Sequence, residues 1–447
     1  MNYQVTGDLI KSIAEKIFPY DYSVSGRGSE EALAAYRGLA NFEIHSFESG
    51  EELRGWKIPP GWEANKAVIK HKGRVIYDCL ALGSLGCAYL SPSFKGIVSK
   101  EELKRHTAWR EDLPEAVVYD WTRLYRPLDR SKWGLSIPWE KLLLLPDTEL
   151  EVEIHTETYP SRMHVLDLRI QGEVDDEIII NAHNCHPFQA NDDLSGCAVG
   201  LALFKYYLQQ KENYYSYRLL IAPELYGPMF WLEEIVQKKV SINSAILLKS
   251  VGNDSSIKIQ NSYLGDHDID LIARSAMQAS SVLQQDVSFY PFRSYYGNDE
   301  TVFEAPGYEI PTITLTRFPF KEYHTNLDTL EKLYPERLME CYEMLSTIID
   351  IAESNKQAVS VQTGLFCLSN PKYDLYLKAP EPGISNDGNS VNEKKWNLLM
   401  NCLSRDLSSG LSALDLSLKY HIHYRLVLEY IEEWESAGLV KMKRKIL

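Results

Sequence analysis

The chain has 447 residues, of which 45% are hydrophobic and 24% charged, and its formal net charge is −15. This length exceeds that of one ordinary domain, so we expect two or three domains. The negative charge argues against nucleic acid or anionic lipid as a partner of the whole surface, and no apolar stretch is long enough to span a bilayer. The seven cysteines include no CxxC pair, and no signal peptide is evident, so we expect reduced thiols and a cytoplasmic protein.

The N-terminal part of the chain is predicted to be helical, and a β-rich stretch is predicted to follow it. Residues 8–18 have helical spacing, and a Gly/Ser turn leads into a second helix with Glu30 in its first turn. From about residue 42 the pattern changes to short strands, and residues 67–77 predict a hairpin that turns at Lys72 and Gly73. We expect a β-rich module at 45–140, inserted into a larger domain formed by 1–44 and 141–375.

Strands and helices alternate from about residue 151 onward. This alternation is typical of a doubly wound α/β fold with a parallel or mixed sheet. The predicted strands are 163–170, 178–181, 217–222, 245–248, 287–290 and 311–315, and the predicted helices are 195–209, 268–281 and 335–354. A stretch rich in Pro, Gly, Ser and Asn, residues 370–395, predicts a linker, and three helical patterns with a basic end follow it.

Ligand-type residues follow three of the predicted strands. His183, His186 and Asp192 come after 178–181, Glu224 comes after 217–222, and His324 comes after 311–315. In open α/β sheets, ligands bind beyond the carboxyl ends of the strands, so these side chains are expected at one edge. Imidazoles and a carboxylate suit zinc, and a nearby glutamate suits a general base.

Each of these residues also has a structural interpretation. A histidine at a strand end is often only hydrogen-bonded, and Glu224 after a proline can cap a helix. Asp193 and Asp328 are interpreted as helix caps, and Asp299 either lines a pocket or begins a helix. Four ligand-type positions that all follow predicted strands are harder to explain as purely structural residues than any single one of them.

Several motifs resemble those of bacterial aminopeptidase-like proteins related to the zinc aminopeptidases. The most specific are HNCHPFQANDDLSG and YHTNLDTL, and APELYG, PYDYSVSGRGSEE, WKIPPGWEANKAVI, SPSFKGIVSKEELKRH and GNDETVFEAPG fit the same group. The resemblance covers nearly the whole chain. It implies a phosphorylase/hydrolase-like α/β fold, an inserted N-terminal β-rich module, and a C-terminal winged helix at 390–447.

The resemblance also implies roles for individual residues. His183 matches the first metal-binding histidine of the zinc aminopeptidases, Asp192 the metal-bridging aspartate, Glu224 the general base and His324 the last metal-binding histidine. We therefore expect a metal site with Glu224 as the catalytic base.

Two positions depart from the two-zinc pattern. Leu225 stands where a second glutamate is expected, and Lys249 stands where an aspartate is expected, so a two-metal site is not predicted. One zinc per chain is predicted instead, with His183, His186, Asp192 and His324 as ligands. Which of the first two histidines is the main ligand stays open at this point. If Lys249 points inward, its charge takes the place of a metal.

These features predict a metal-dependent hydrolase of an amide or peptide bond, acting on a small peptide-like or N-acylated substrate. The alternative is a catalytically degenerate scaffold that binds a small ligand and a protein partner; either reading is compatible with surface-polysaccharide biosynthesis, to which the resemblance points. The predicted winged helix carries Glu429, Glu432 and Glu433 on its second helix, so nucleic acid is not expected there. A protein partner or a second copy of the chain is expected there instead.

Overall fold

The computed structural model describes residues 5–279, 288–295, 297–361, 363–376 and 391–446. The helices of these residues are α1 (Gly7–Ile17), α2 (Arg27–Leu39), α3 (Lys100–Arg105), α4 (Thr122–Tyr125), α5 (Trp139–Leu144), α6 (Ser195–Tyr206), α7 (Tyr226–Gln237), α8 (Asp268–Ala279), α9 (Glu300–Phe303), α10 (Pro335–Ser354), α11 (Val391–Ser408), α12 (Ala413–Tyr420) and α13 (Tyr424–Ser436).

The strands of the same residues are β1 (Glu43–Glu48), β2 (Glu52–Leu53), β3 (Trp56–Lys57), β4 (Gly61–His71), β5 (Arg74–Asp78), β6 (Phe94–Val98), β7 (Thr107–Ala108), β8 (Leu135–Ser136), β9 (Leu150–Tyr159), β10 (Arg162–Ile170), β11 (Glu177–His183), β12 (Ser216–Ala222), β13 (Ile242–Lys249), β14 (Ile257–Gln260), β15 (Ser288–Tyr290), β16 (Thr312–Arg317), β17 (Lys356–Ser360) and β18 (Val440–Arg444). The predicted ends at 280–281 and 287 lie outside the described residues.

A mixed sheet has the strand order β1-β10-β12-β11-β13-β16-β14-β15. β11 pairs parallel with β12 and β13, whereas β10 pairs antiparallel with β1 and β12. Every residue of β11 and β12 is buried, which explains their long apolar runs without alternation. The predicted α/β fold with a mixed sheet is confirmed.

The parallel strands bring three sequence-distant positions to one edge of this sheet. β11 ends at His183, whose register partner is Ala222 at the end of β12, and β13 ends at Lys249. Because parallel strands end at the same side of a sheet, the residues that follow them converge there. This edge carries the candidate site.

A second sheet has the order β5-β4-β9-β6. The predicted hairpin is confirmed: β4 and β5 pair antiparallel, and Lys72 and Gly73 between them have φ angles of 51° and 75°. Two left-handed residues match the twist that a two-residue hairpin loop requires. β9 contributes residues 150–159 to this sheet, from outside the predicted 45–140 module. The predicted division into three parts stays a prediction.

The chain divides into two compact units. The first contains Met1–Lys258, Tyr295–Ile310 and Thr314–Cys341, and the second contains Ile259–Ser294, Pro311–Ile313 and Tyr342–Leu447. In the second unit, β17 pairs antiparallel with β18, and a capping box of Ser412 and Asp415 begins α12.

The three helices predicted near the C-terminus are α11, α12 and α13, whereas the winged-helix assignment stays a prediction. Part of the predicted linker lies outside the described residues, and its end at 391–395 is helical. Within the described part of the chain, every helix is too short or too polar to cross a membrane.

Candidate functional site

The five predicted site residues lie together at the edge where the parallel strands end. Ligand atoms of His186, Asp192 and His324 lie within 4.8 Å of one another, and so do those of His183, His186 and Glu224. We call these five residues the histidine–carboxylate cluster. The structure thus brings together side chains that are up to 141 residues apart in sequence, while their role as metal ligands and base stays a prediction.

Asp192 lies between two histidines of the cluster. Its Oδ1 is 3.1 Å from Nε2 of His183, in a hydrogen bond, and its Oδ2 is 3.1 Å from Nε2 of His324. The second pair has no hydrogen-bond geometry: within the described residues, neither Asp192 Oδ2 nor His324 Nε2 has a hydrogen-bond partner, although both atoms are buried. Buried polar atoms are normally hydrogen-bonded, so this pair of atoms is a candidate position for a ligand.

Lys249, at the end of β13, points into the cluster. Its side chain is 1% exposed, and its Nζ lies 3.8 Å from Asp192 Oδ1 and 3.7 Å from Glu224 Oε1. An ammonium group withdrawn from water is tolerated when opposite charges surround it. The ammonium therefore supplies positive charge between the two carboxylates.

Burial and charge set the protonation of the cluster. Burial raises the pKa of Asp192, but Lys249 and the neighbouring histidines outweigh burial and hold this pKa well below its usual range. Burial lowers the pKa of His183, but Asp192 and Asp193 outweigh burial and raise it to about 9. Burial holds the pKa of His186 well below its usual value, and the charges of His324, His183 and Lys249 lower it further, whereas Asp192 raises it. His186 is therefore neutral, the form that binds a metal, whereas His183 would first have to lose a proton.

Two aspartates shape the loop that carries Asp192. The carboxylate of Asp328 accepts the backbone N–H groups of Asn191 at 2.7 Å and Asp192 at 3.0 Å. The interpretation of Asp328 as a helix cap is therefore wrong, because its acceptors are used to hold this loop. Asp193 does cap α6, since its Oδ1 accepts the N–H of Gly196 at 3.2 Å.

Left-handed backbone occurs after three of the strands that end near the site, β12, β13 and β16. Leu225, Ser250 and His324 have φ angles of 63°, 53° and 55°, although none of them is glycine. Such conformations are unfavourable for residues with a Cβ atom and concentrate at functional sites, where the surrounding structure holds them.

Two aromatic residues that the sequence analysis missed contact the cluster. Tyr119 donates its backbone N–H to the carbonyl of His324 at 2.8 Å, and its ring packs edge-on against His186 and His324. The indole N–H of Trp121 donates to Nδ1 of His324 at 2.9 Å. Tyr119 and Trp121 precede His324 by about two hundred residues, and no motif or periodicity links the two stretches.

A cavity of about 450 Å³ opens beside the cluster. We call it the site cavity, and its volume lies in the range of small-molecule sites. Its described lining consists of aromatic and apolar walls, one arginine and three cluster residues: Tyr119, Trp121, Thr122, Leu124, Tyr125, Arg126, Cys185, His186, Glu224, Leu225, Gly297, Tyr323 and His324.

Asp299 lies behind this cavity and does not line it. Its side chain is fully buried, and its Oδ1 accepts the backbone N–H of Leu225 at 2.6 Å. Burial raises the pKa of Asp299 to about 7, and the charge of Glu224 also raises it, while His183 lowers it. The carboxyl group thus supports the backbone that follows Glu224.

We expect Asp299 to make the free energy of unfolding fall as pH rises. An aspartate in the unfolded chain has a pKa of about 3.9, so folding favours the protonated form. This stabilisation is complete below about pH 4 and is lost as pH rises through the folded pKa of about 7. In urea unfolding at pH 5 and pH 8, the wild type should lose about 2–3 kcal/mol more than Asp299→Asn between the two pH values. Equal losses would show that Asp299 is ionised at both.

Comparisons with known proteins agree with this fold. A family model described as a domain of unknown function (DUF4910) matches residues 11–355. A protein of Clostridium acetobutylicum, whose name refers to polysaccharide biosynthesis and an aminopeptidase-like domain, is 27% identical over 379 residues, covering 84% of this chain and 83% of that protein.

Two solved structures show the same fold. A crystal structure from Clostridium acetobutylicum, named as a peptidase, has a TM-score of 0.78 at 23% identity and covers 98% of this chain and 96% of that one. The zinc aminopeptidase BSAP from Bacillus subtilis has a TM-score of 0.54 at 15% identity and covers 77% of this chain and 94% of that one. The fold is therefore of the aminopeptidase type.

Proposed function

The chain belongs to the DUF4910 family, and from this membership and the geometry of the histidine–carboxylate cluster we propose that it is a metal-dependent hydrolase of an amide or peptide bond. The predicted relation to bacterial aminopeptidase-like proteins is confirmed, because a relative is named for such a domain and zinc aminopeptidases share the fold. One observation carries the proposal: Asp192 and His324 present facing ligand atoms to each other, with Glu224 in the same cluster and on the wall of the site cavity.

The cluster fits a zinc ion. The 3.1 Å between His324 Nε2 and Asp192 Oδ2, without a hydrogen bond, suits two ligands of one metal. Imidazole and carboxylate are zinc ligands. His186 completes a group with these two residues, whereas Nε2 of His183 is already bonded to Asp192. We therefore propose one zinc per chain, with His186, Asp192 and His324 as its main ligands and His183 as the residue that orients Asp192.

Zinc and the residues of this chain would then have separate roles in hydrolysis. Zinc, when bound, supplies a Lewis acid for the carbonyl and lowers the pKa of water. Glu224, whose side chain is 14% exposed on the cavity wall, would accept a proton from the attacking water and deliver it to the leaving amine. Lys249 would hold the Glu224 carboxylate in place through the 3.7 Å contact.

A second candidate function is a catalytically degenerate scaffold. The observation in its favour is the Lys249 ammonium, which already places positive charge 3.8 Å from Asp192. In this candidate, the site cavity binds a small ligand, and residues 390–447 bind a protein partner or a second copy of the chain. The name of the Clostridium relative suggests polysaccharide biosynthesis as the setting, and we propose the cytoplasm as the location.

Metal analysis combined with turnover separates the two candidates. We expect about one zinc per chain in the wild type and in His155→Ala, whose side chain is 57% exposed and lies outside the cluster, but none in His324→Ala. We also expect the zinc-loaded wild type to hydrolyse at least one member of a panel of N-acyl amino acids and dipeptides, and a chelator to stop this turnover. A wild type that binds no zinc and hydrolyses none of the panel would favour the scaffold.

Trp121 gives the same experiment an optical readout. An indole N–H can only donate, so Nδ1 of His324 accepts and a neutral His324 ring carries its proton on Nε2. If zinc bound at Nε2, the proton of the neutral imidazole would move to Nδ1, and Nδ1 could then no longer accept the indole N–H of Trp121. We expect zinc titration to change the tryptophan fluorescence of the wild type more than that of Trp121→Phe.

A further inference from the structure

Arg126 is one of the residues that line the site cavity, as are Glu224 and His324. It directly follows α4, where its backbone N–H donates to the carbonyl of Thr122 at 3.0 Å, so the end of the helix fixes its position. In the described part of the chain, the exposed Arg126 guanidinium makes no hydrogen bond and no close ion pair. Its charge is therefore available to a ligand.

The other two arginines of this stretch are already engaged. Arg123 is 7% exposed, forms an ion pair with Asp120 at 2.8 Å and donates to two backbone carbonyls. Arg130 donates to the carbonyl of Arg123 at 3.0 Å. These two arginines hold the loop together, whereas Arg126, which lines the cavity, acts on the carboxylate of Asp129 only through its charge and without a hydrogen bond. The contrast indicates that Arg126 serves binding rather than folding.

The same cavity offers little to a positively charged ligand. Glu224 is the one carboxylate among the described lining residues, and it already lies 3.7 Å from the ammonium of Lys249. Its neighbour Leu225 adds only an apolar side chain. A free amino terminus would thus compete with Lys249 for one carboxylate, at a position where like charges repel.

We propose that Arg126 binds a carboxylate of the substrate, and that the substrate class is N-acylated amino acids or short N-acylated peptides, not peptides with a free amino terminus. A planar guanidinium matches a carboxylate through two parallel hydrogen bonds. The rings of Trp121 and Tyr125 provide walls for the apolar part of such a ligand. The bond that is cleaved rests on the proposed function, but carboxylate binding by Arg126 does not depend on turnover.

Equilibrium binding to three matched probes tests this inference. The probes are N-acetylphenylalanine, which has only the carboxylate, N-acetylphenylalanine amide, which has neither charge, and phenylalanine amide, which has only the amine. We expect the wild type to prefer the first probe. Arg126→Gln should weaken this binding about 10- to 100-fold, because it removes a charge-assisted pair, and should leave binding of the uncharged probe unchanged.

Two further variants serve as controls. Arg126→Lys keeps the charge without the planar geometry, so it should recover only part of the affinity. Arg162→Gln removes an arginine that is 57% exposed and does not line the cavity, so it should bind all three probes like the wild type.

Three outcomes would overturn the inference: preference of the wild type for phenylalanine amide, equal affinity of Arg126→Gln and wild type for N-acetylphenylalanine, or no binding of N-acetyl amino acids at millimolar concentration. Stronger displacement by inorganic phosphate than by acetate would also overturn it, because the recognised group would then be a phosphate. A protein that binds N-acetylphenylalanine through Arg126 but hydrolyses no N-acyl compound would contradict the proposed function alone.

Discussion

Glu224→Gln should lower kcat for amide hydrolysis by about 10²- to 10⁴-fold, while the zinc content stays at the wild-type value. Glutamine keeps the size and most hydrogen-bonding capacity of glutamate but cannot accept a proton. Glu224 follows β12 by two residues, and its carboxylate lies 3.7 Å from His186 and 3.7 Å from Lys249. The carboxylate is therefore in place to act as a base beside the proposed zinc ligands.

The test of Glu224 needs steady-state kinetics and metal analysis on the same preparations. Glu233→Gln is the matched control, because this glutamate belongs to α7, is 37% exposed and pairs with Arg54. It should keep wild-type turnover. Full hydrolysis by zinc-loaded Glu224→Gln would show that another group acts as the base. Loss of zinc from the variant would instead make Glu224 a ligand, as its place in a group with His183 and His186 allows.

Arg218→Met should destabilise the protein by about 3–5 kcal/mol, the largest stability effect that we expect from one substitution. Arg218 in β12 lies between Asp167 in β10 and Glu177 in β11, and all three side chains are buried. It donates to Glu177 at 2.6 and 2.9 Å and also pairs with Asp167. Removal of the guanidinium would leave two buried carboxylates without their main countercharge.

Urea unfolding at neutral pH measures the effect of Arg218→Met. Arg162→Met is the control, since Arg162 pairs with Glu48 at 2.8 Å but both side chains are more than half exposed. Such a surface pair contributes about 0–1 kcal/mol. A loss below about 1 kcal/mol in Arg218→Met would mean that the neighbouring cations, Arg169 and His45, are sufficient to compensate the two carboxylates.

The elements that local sequence determines were predictable. β11 is a continuous apolar run because both faces of the strand are buried, and the hairpin at Lys72 and Gly73 follows from turn chemistry that two residues carry. The site residues after β11 and β12 could also be placed, because the ends of parallel strands share an edge. In these cases the structure is determined either by a few neighbouring residues or by a general rule of sheet topology.

The remaining features depend on contacts between distant loops. Val117 and Asn326 exchange two hydrogen bonds, and this pairing places Tyr119 and Trp121 against His324. Asp328 was misassigned for the same reason, since its partners lie in the loop of Asp192, more than a hundred residues earlier. The direction of a side chain also cannot be predicted from the sequence. The sequence has a lysine at position 249, but only the structure shows that its ammonium lies between two carboxylates.

The site cavity combines two parts of the chain with separate tasks. Residues 119–126 provide six of the thirteen described residues that line the cavity, including Arg126. Four of the five residues of the histidine–carboxylate cluster lie in segments that follow strands of the main sheet, and His183 is the last residue of β11. Tyr119 and Trp121 of this segment contact His324, so the substitutions that can alter what the cavity accepts while leaving the cluster in place are those at Tyr125 and Arg126. Design of a different ligand preference would therefore begin at these two positions.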